Sequence, residues 1–389
     1  MSQPDRSALF AGSSDQATIC NPIAAAFAAH AGDVLDLTVS NPTRADLPYA
    51  EAELRAALSE HGLTHYAAAP LGTDDARAAV AAELGCDAGN VALTASTSEA
   101  YRYLFELLCE PGDTVLVPRP GYPLLEQLAR FSHVQTRSYT TYYDGEWSLD
   151  RQSVTAQLDE TSRAIVLVSP NNPTGAMTRR DDLDFLRGLA IPVISDEVFA
   201  PYLLDPAADA AHSLRDAPVS LGFSLGGLSK RAGLPQLKLG WLVASGDPQL
   251  CAEAMGRLSW IADTWLSVGT PVQVAAGEIL RASAITRAAI QTRLRENLSI
   301  AAAAFADSAV TVPRVEGGWY LPLRLPQTRT DSDWVLHLLS EHAVKVHPGW
   351  FYDLCNGTWI VASLLAPSAV FAPAISAIAA AVATECNQI

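Results

Sequence analysis

Residues 227–241 read GLSKRAGLPQLKLGW. Lys230 follows a small, turn-prone Gly-Leu-Ser, and Lys238 precedes Leu-Gly-Trp, the expected start of a strand. Two lysines around one loop are either solvated surface charges or two groups with separate tasks at one site. What precedes the loop bears on the choice. Val219–Ser224 has the apolar run of a strand, and one leucine later comes Gly-Gly-Leu-Ser-Lys. In an open parallel sheet, ligands sit beyond the carboxyl ends of the strands. Lys230 falls at such an end.

The same pattern repeats on either side. Asn90–Thr94, Thr114–Val117, Val134–Tyr139, Ala164–Val168, Pro192–Ser195 and Leu239–Ala244 read as further strands. Helical patterns at Glu99–Cys109, Pro123–Phe131 and Asp181–Leu189 alternate with them. Strands alternating with helices predict an α/β unit with a mostly parallel sheet covered on both faces. Each strand is followed by polar chemistry: Ala-Ser-Thr-Ser before a helix (Ser96, Thr97, Ser98), Arg-Pro-Gly-Tyr (Tyr122), Ser-Pro-Asn-Asn-Pro-Thr-Gly (Asn172), and Asp-Glu-Val-Phe (Asp196, Phe199). Singly, each has a structural reading as a turn, a cap or core. Converging on one sheet edge, they describe a site.

After about residue 250 the pattern changes. Pro248–Leu266 and Pro271–Phe305 read as helices, Gly317–Leu325 as a strand and Asp331–His342 as a helix. Val344–His347 and Trp359–Leu364 read as strands before an alanine-rich terminal helix. This is a smaller α+β unit. The expected division is a large domain over residues 46–285 and a small one made of 1–45 and 286–389.

Composition limits the partners. The 389 residues carry a formal charge of −16 at pH 7, which argues against nucleic acid or anionic lipid bound through the overall field. Six scattered cysteines form no CxxC pair, which argues against a zinc site or a disulfide framework and for a reducing cytoplasm. The first residues, MSQPDRSALFAGSSDQ, lack the apolar core of a signal peptide. No apolar run approaches the roughly 20 residues of a membrane span. No strand is followed by GxGxxG, so a dinucleotide oxidoreductase is a poor fit. An acidic chain is also a poor fit to a sensor fused to a DNA-binding region.

From about Leu37 to Leu365 the chain resembles the class I/II aminotransferases, pyridoxal-phosphate enzymes of fold type I. The Ser169–Gly175 segment, the Asp-Glu-Val-Phe segment and the opening stretch carry the resemblance. It implies a mostly parallel seven-stranded sheet in the large domain. It also implies pyridoxal 5'-phosphate as cofactor and transfer of an amino group between an amino acid and a 2-oxo acid. By the resemblance, Lys230 forms the Schiff base and shuttles the proton, Asp196 pairs with the pyridine nitrogen, and Asn172 donates to the ring oxygen. Tyr122 stacks on the ring, and Ser96, Thr97 and Ser98 hold the phosphate at a helix start. Tyr66 reaches the phosphate of a neighbouring subunit, which implies a homodimer with shared sites. Lys238, where the family usually has arginine, is the expected phosphate counter-charge without a bidentate fork.

Three departures stand out. Phe199 occupies the place of a tyrosine that helps hydrogen-bond the ring oxygen, so that oxygen has one donor fewer. Gly227 stands where some members have a serine against the phosphate. Val361 stands where the family carries the arginine that clamps the substrate carboxylate. Either another residue holds the carboxylate or the substrate lacks one there. Arg324 is the expected replacement if the face it shares with Tyr320 and Pro322 meets the cleft. Ser40, Asn41, Trp350 and Phe351 are further expected substrate contacts. A different pyridoxal-phosphate reaction, such as a C–S lyase, a decarboxylation or a biosynthetic replacement, is the alternative.

Overall fold

The computed structural model describes residues 22–30, 32–59, 64 and 66–387. Cys20 and the N-terminal stretch lie outside them. The large sheet runs, in spatial order, through Val91–Thr94, Gly240–Gly246, Leu221–Gly227, Val193–Asp196, Ser162–Val168, Thr114–Arg119, Gln135–Tyr143 and Trp147–Leu149. The seven longer strands make the expected sheet, and three-residue Trp147–Leu149 adds an antiparallel hairpin partner at its edge. Five neighbouring strands are parallel, while Gly240–Gly246 runs against both of its neighbours. Ser162–Val168 is buried at almost every position, as strands covered on both faces require.

Register brings the strand ends together. Val168 pairs with Asp196, and Asp196 with Leu225, so the loops after all three strands leave from one edge. Gly240 lies between Thr94 and Gly227. Its antiparallel strand therefore starts where its two neighbours end. A Cβ at Gly240 would stand 2.9 Å from the Ser96 carbonyl carbon, so glycine lets the strand pass under the following helix start.

A second apolar core gathers Ile23, Leu37, Ile290, Trp319, Leu323, Trp334, Ile360 and Phe371 from both ends of the described chain. Its sheet is antiparallel, in the order Tyr320–Leu325, Thr358–Ser363, His347–Pro348. Glu316 fastens this region to the strand-end loops. Its buried carboxylate accepts from Met177 N at 2.9 Å, Arg179 Nη1 at 2.7 Å and Ala207 N at 2.8 Å.

Several sequence expectations are corrected. Pro271–Phe305 is not one helix but Thr270–Val274, Ala276–Ala282 and Ala284–Phe305. At the second break the Ser283 hydroxyl donates to Leu280 O at 2.9 Å, competing with the regular backbone ladder. The strand expected from Gly317 begins at Tyr320. A Cβ at Gly317 would stand 2.7 Å from Pro170, so those glycines pack against the Ser169–Gly175 loop instead. Helix Ser368–Cys386 is long and apolar enough to span a membrane by length and composition, contrary to the sequence reading. It buries Phe371, Ile375, Ile378 and Val382 in the second core.

Candidate active site

The strand ends open into a cavity whose empty space is about 1070 Å³, including its open mouth. Ser96, Thr97, Ser98, Tyr122, Asn172, Asp196, Phe199 and Lys230 line it together, as does Ser40 from the other core. Each arrives by local chemistry. Ser96 caps the helix Thr97–Leu108, its side chain accepting from Glu99 N at 3.3 Å. Glu99 reaches back to accept from Ala95 N at 2.6 Å. The first N–H groups of a helix have no intrahelical partner, so a twelve-residue helix starting here offers donors and a positive dipole end to an anion.

Asp196 closes the strand Val193–Asp196. Its Oδ2 accepts from the Tyr101 hydroxyl at 3.1 Å and its Oδ1 from Val198 N at 3.2 Å. Burial raises its pKa to about 6, with those two bonds and Lys230 opposing. The neighbouring Glu197 points the other way, by the two-residue period of a strand. It accepts from Leu214 N at 2.8 Å and from the Ser224 hydroxyl at 3.0 Å. Its hydrogen bonds are structural, whereas Asp196 faces the cavity.

Lys230 lies in the four-residue helix Leu228–Arg231 that follows the strand. The Tyr202 hydroxyl donates to its carbonyl at 2.6 Å, and its Nζ stands 5.4 Å from the centre of the Trp319 ring. Burial lowers its pKa, while Asp196 pulls the other way. A buried amine with a depressed pKa is available as a nucleophile and a base. Its neighbour Arg231 is tied to Glu83 at 2.7 Å.

Asn172 is buried with its side-chain oxygen paired to nothing. Its neighbour Asn171 serves the loop, accepting from the Thr174 hydroxyl at 2.9 Å. Buried polar atoms are nearly always satisfied, so the orphan at Asn172 marks a place for a ligand's polar atom. Gly227 and Gly240 form a bare floor, where a Cβ on Gly227 would stand 3.1 Å from Gly240 Cα. The whole suits a flat ring with an acidic group at one end, a protonated ring nitrogen near Asp196 and a carbonyl near Lys230.

Other expected residues are elsewhere. Lys238 is exposed in a left-handed turn and does not line the cavity. Arg324 is four residues along the strand from Tyr320, about 13 Å at the usual rise, with its guanidinium 5.9 Å from the Trp359 ring. It too is absent from the lining. Asn41 caps a turn by accepting from Thr43 N at 3.0 Å. Trp350 is 45% exposed and donates to the Ser332 hydroxyl at 3.0 Å, and Phe351 stacks on His347. Tyr66 is 70% exposed and lies beside Leu266 and Thr270, not in the cavity.

Sequence reasoning missed Tyr101 and Ser229. Tyr101 falls on the side of the Glu99–Cys109 helical pattern that carries Leu104 and Leu108, yet a buried tyrosine hydroxyl needs a partner, and that requirement is the available signal. Ser229, beside Lys230, also lines the cavity.

Residues 32–363 match the family Aminotransferase class I and II. The chain is 31% identical over 339 residues to nicotianamine aminotransferase A of Hordeum vulgare, covering 80% of this chain and 71% of that protein. It is 32% identical over 166 residues to an S-alkyl-thiohydroximate lyase of Arabidopsis thaliana, covering 41% and 35%. A tyrosine aminotransferase structure from Leishmania infantum superposes with a TM-score of 0.80 at 21% identity, covering 91% and 92%.

Proposed function

The chain belongs to the class I and II aminotransferases, and from that premise we propose that it moves an amino group between an amino acid and a 2-oxo acid, with pyridoxal 5'-phosphate in the strand-end cavity. The observation that carries this reading is the convergence of Lys230, Asp196, Asn172 and a free helix start on one cavity. The cofactor supplies an aldehyde that bonds amines and a ring that takes up electrons from the substrate Cα.

The rest is work for the chain. Ser96, Thr97 and Ser98 would bind the phosphate at the helix N-terminus. Asp196 would hold the ring N–H, its carboxylate steadied by Tyr101 and Val198 N. Asn172 would donate through its side-chain NH2 to the ring oxygen. Tyr122 would cover one ring face. Lys230 would hold the aldehyde end at rest. Once released it takes a proton from the donor's Cα and returns one to Cα of the incoming 2-oxo acid. Its depressed pKa favours the neutral amine that this requires.

The protein acts as a homodimer in this reading. Tyr66, Trp260 and Trp265 are 70%, 78% and 49% exposed, apolar surface that a second copy would cover. Tyr66 would then serve the partner's site. The free cysteines among the described residues fit the cytoplasm. The test is the absorption spectrum of the purified protein with cofactor and a panel of amino acids. A yellow band that bleaches with one amino acid class and returns with a 2-oxo acid establishes transfer. Release of pyruvate and ammonia instead would establish a lyase. No band at all would remove Lys230 from its role.

A further inference from the structure

Among the described residues, the side of the cavity lined by Ser40 and Tyr320 carries no formal cation. Val361, where the resemblance places an arginine, is fully buried among Trp147, Tyr352, Leu354 and Trp359. Arg324 lies against Trp359 and off the cavity. Among the described lining residues the only formal cation is Lys230, which faces Asp196. The polar groups at this end are hydroxyls. Ser40 and Tyr320 both line the cavity and interact with each other through their side chains. Tyr320 is fixed by packing edge-on against Phe199 at 6.1 Å and beside Tyr352 at 6.0 Å. Those contacts hold its hydroxyl in place.

We propose that Ser40 and Tyr320 form a neutral recognition site for the group beside the amino-bearing carbon, so that the protein takes amino acids and their carboxamides alike. This rests on the amino-transfer reading above. An arginine fork selects a carboxylate by charge as well as by geometry. Hydroxyl donors reach the oxygen of a carboxylate or of an amide by the same hydrogen bond, and neither substrate gains an ion pair. What separates them is only the stronger hydrogen bond that a charged acceptor forms, worth at most about thirtyfold.

The experiment uses the holoenzyme. The tightest-binding acid among the common amino acids is compared with its carboxamide, correcting for the fraction of free amine. Dissociation constants are read from the change in the visible spectrum on mixing. That quantity is defined whether transfer or elimination follows, so failure of the transfer reading leaves the comparison intact. The expected preference for the acid is below about thirtyfold. A larger preference overturns the proposal, and is the result if a second subunit delivers a cation. Tyr320→Phe, which keeps the ring and its packing, is expected to weaken acid and amide by a similar factor of about 3–10 while cofactor affinity is unchanged. No effect on either, or a loss confined to the acid, also overturns it. Ser40→Ala gives the same reading from a second element.

Discussion

The two ends of the cavity are built differently. At the Lys230 end the polar groups come from the ends of neighbouring strands in one sheet. Their convergence follows from register, because Val168, Asp196 and Leu225 stand side by side. At the Tyr320 end the lining comes from residues far apart in the chain, Ser40 and Tyr320, and Tyr320 in turn packs on an aromatic cluster around Val361 that lies behind the lining. The first end is fixed by topology and keeps its chemistry wherever the strands pair this way. The second is fixed by side-chain packing, and behind it valine stands at position 361, where the resemblance places an arginine.

The comparison breaks first at Lys230. Lys230→Ala should lower kcat by at least about a thousandfold, the scale of losing a proton carrier. Retention of a tenth of the activity in steady-state assays would mean that this end does not hold the reacting amine.

Next in size is the stability of the cofactor-free protein. The Asp196 carboxyl is raised from 3.8 to about 6 by burial, so the folded chain holds that proton more tightly than the unfolded one. The stabilisation is full below about pH 4 and is lost as pH rises through 6. Asp196→Asn has no such ionisation. It should match the wild type near pH 4 and exceed it by about 2–3 kcal/mol at pH 8 in urea unfolding. A constant difference across that range would refute the assignment.

The aromatic packing behind Tyr320 titrates in the opposite sense. His347, stacked on Phe351, is lowered from 6.5 to about 4 by burial. Its contribution is present above pH 6.5 and is lost as pH falls toward 4. His347→Phe should remove about 2 kcal/mol of acid sensitivity in that window, seen as a flatter melting temperature between pH 7 and 4. A smaller effect separates the ends at Phe199. Phe199→Tyr restores a donor toward the ring oxygen and should lower the midpoint of the visible-band pH titration by about one unit. Identical curves would show that the hydroxyl does not reach. Smallest is Arg324→Ala, expected to change KM for the amino acid less than about twofold. A tenfold rise would return Arg324 to the site.

How much was legible varied with the kind of signal. Helix Asp331–His342 matches its expected limits, because Thr330 accepts from Asp333 N and marks the start in sequence. The polar groups after the strands were legible because short runs of β-branched residues ended in turn chemistry. The division at Ser283 was not, since it rests on one hydroxyl turning to Leu280 O inside an alanine-rich run. The position of Arg324 off the lining was not legible for another reason. Strand alternation gives the face a residue shares with Tyr320, but not how far along that face the cavity extends. Lys238 was read from the family pattern, whereas its left-handed turn leaves it exposed.

By itself the sequence determined the alternation of strands and helices, the class of fold, and which lysine, acid, amide and helix start follow the strands that meet at the cavity. Those are local or periodic features, carried by residues near one another in the chain. Tertiary structure alone decided that Asp196 faces the cavity with Tyr101 on it, that Glu197 does not, and that Ser40 meets Tyr320 where, among the described residues, no cation lines the cavity. These depend on which distant surfaces pack together, and burial then sets which groups keep their charge.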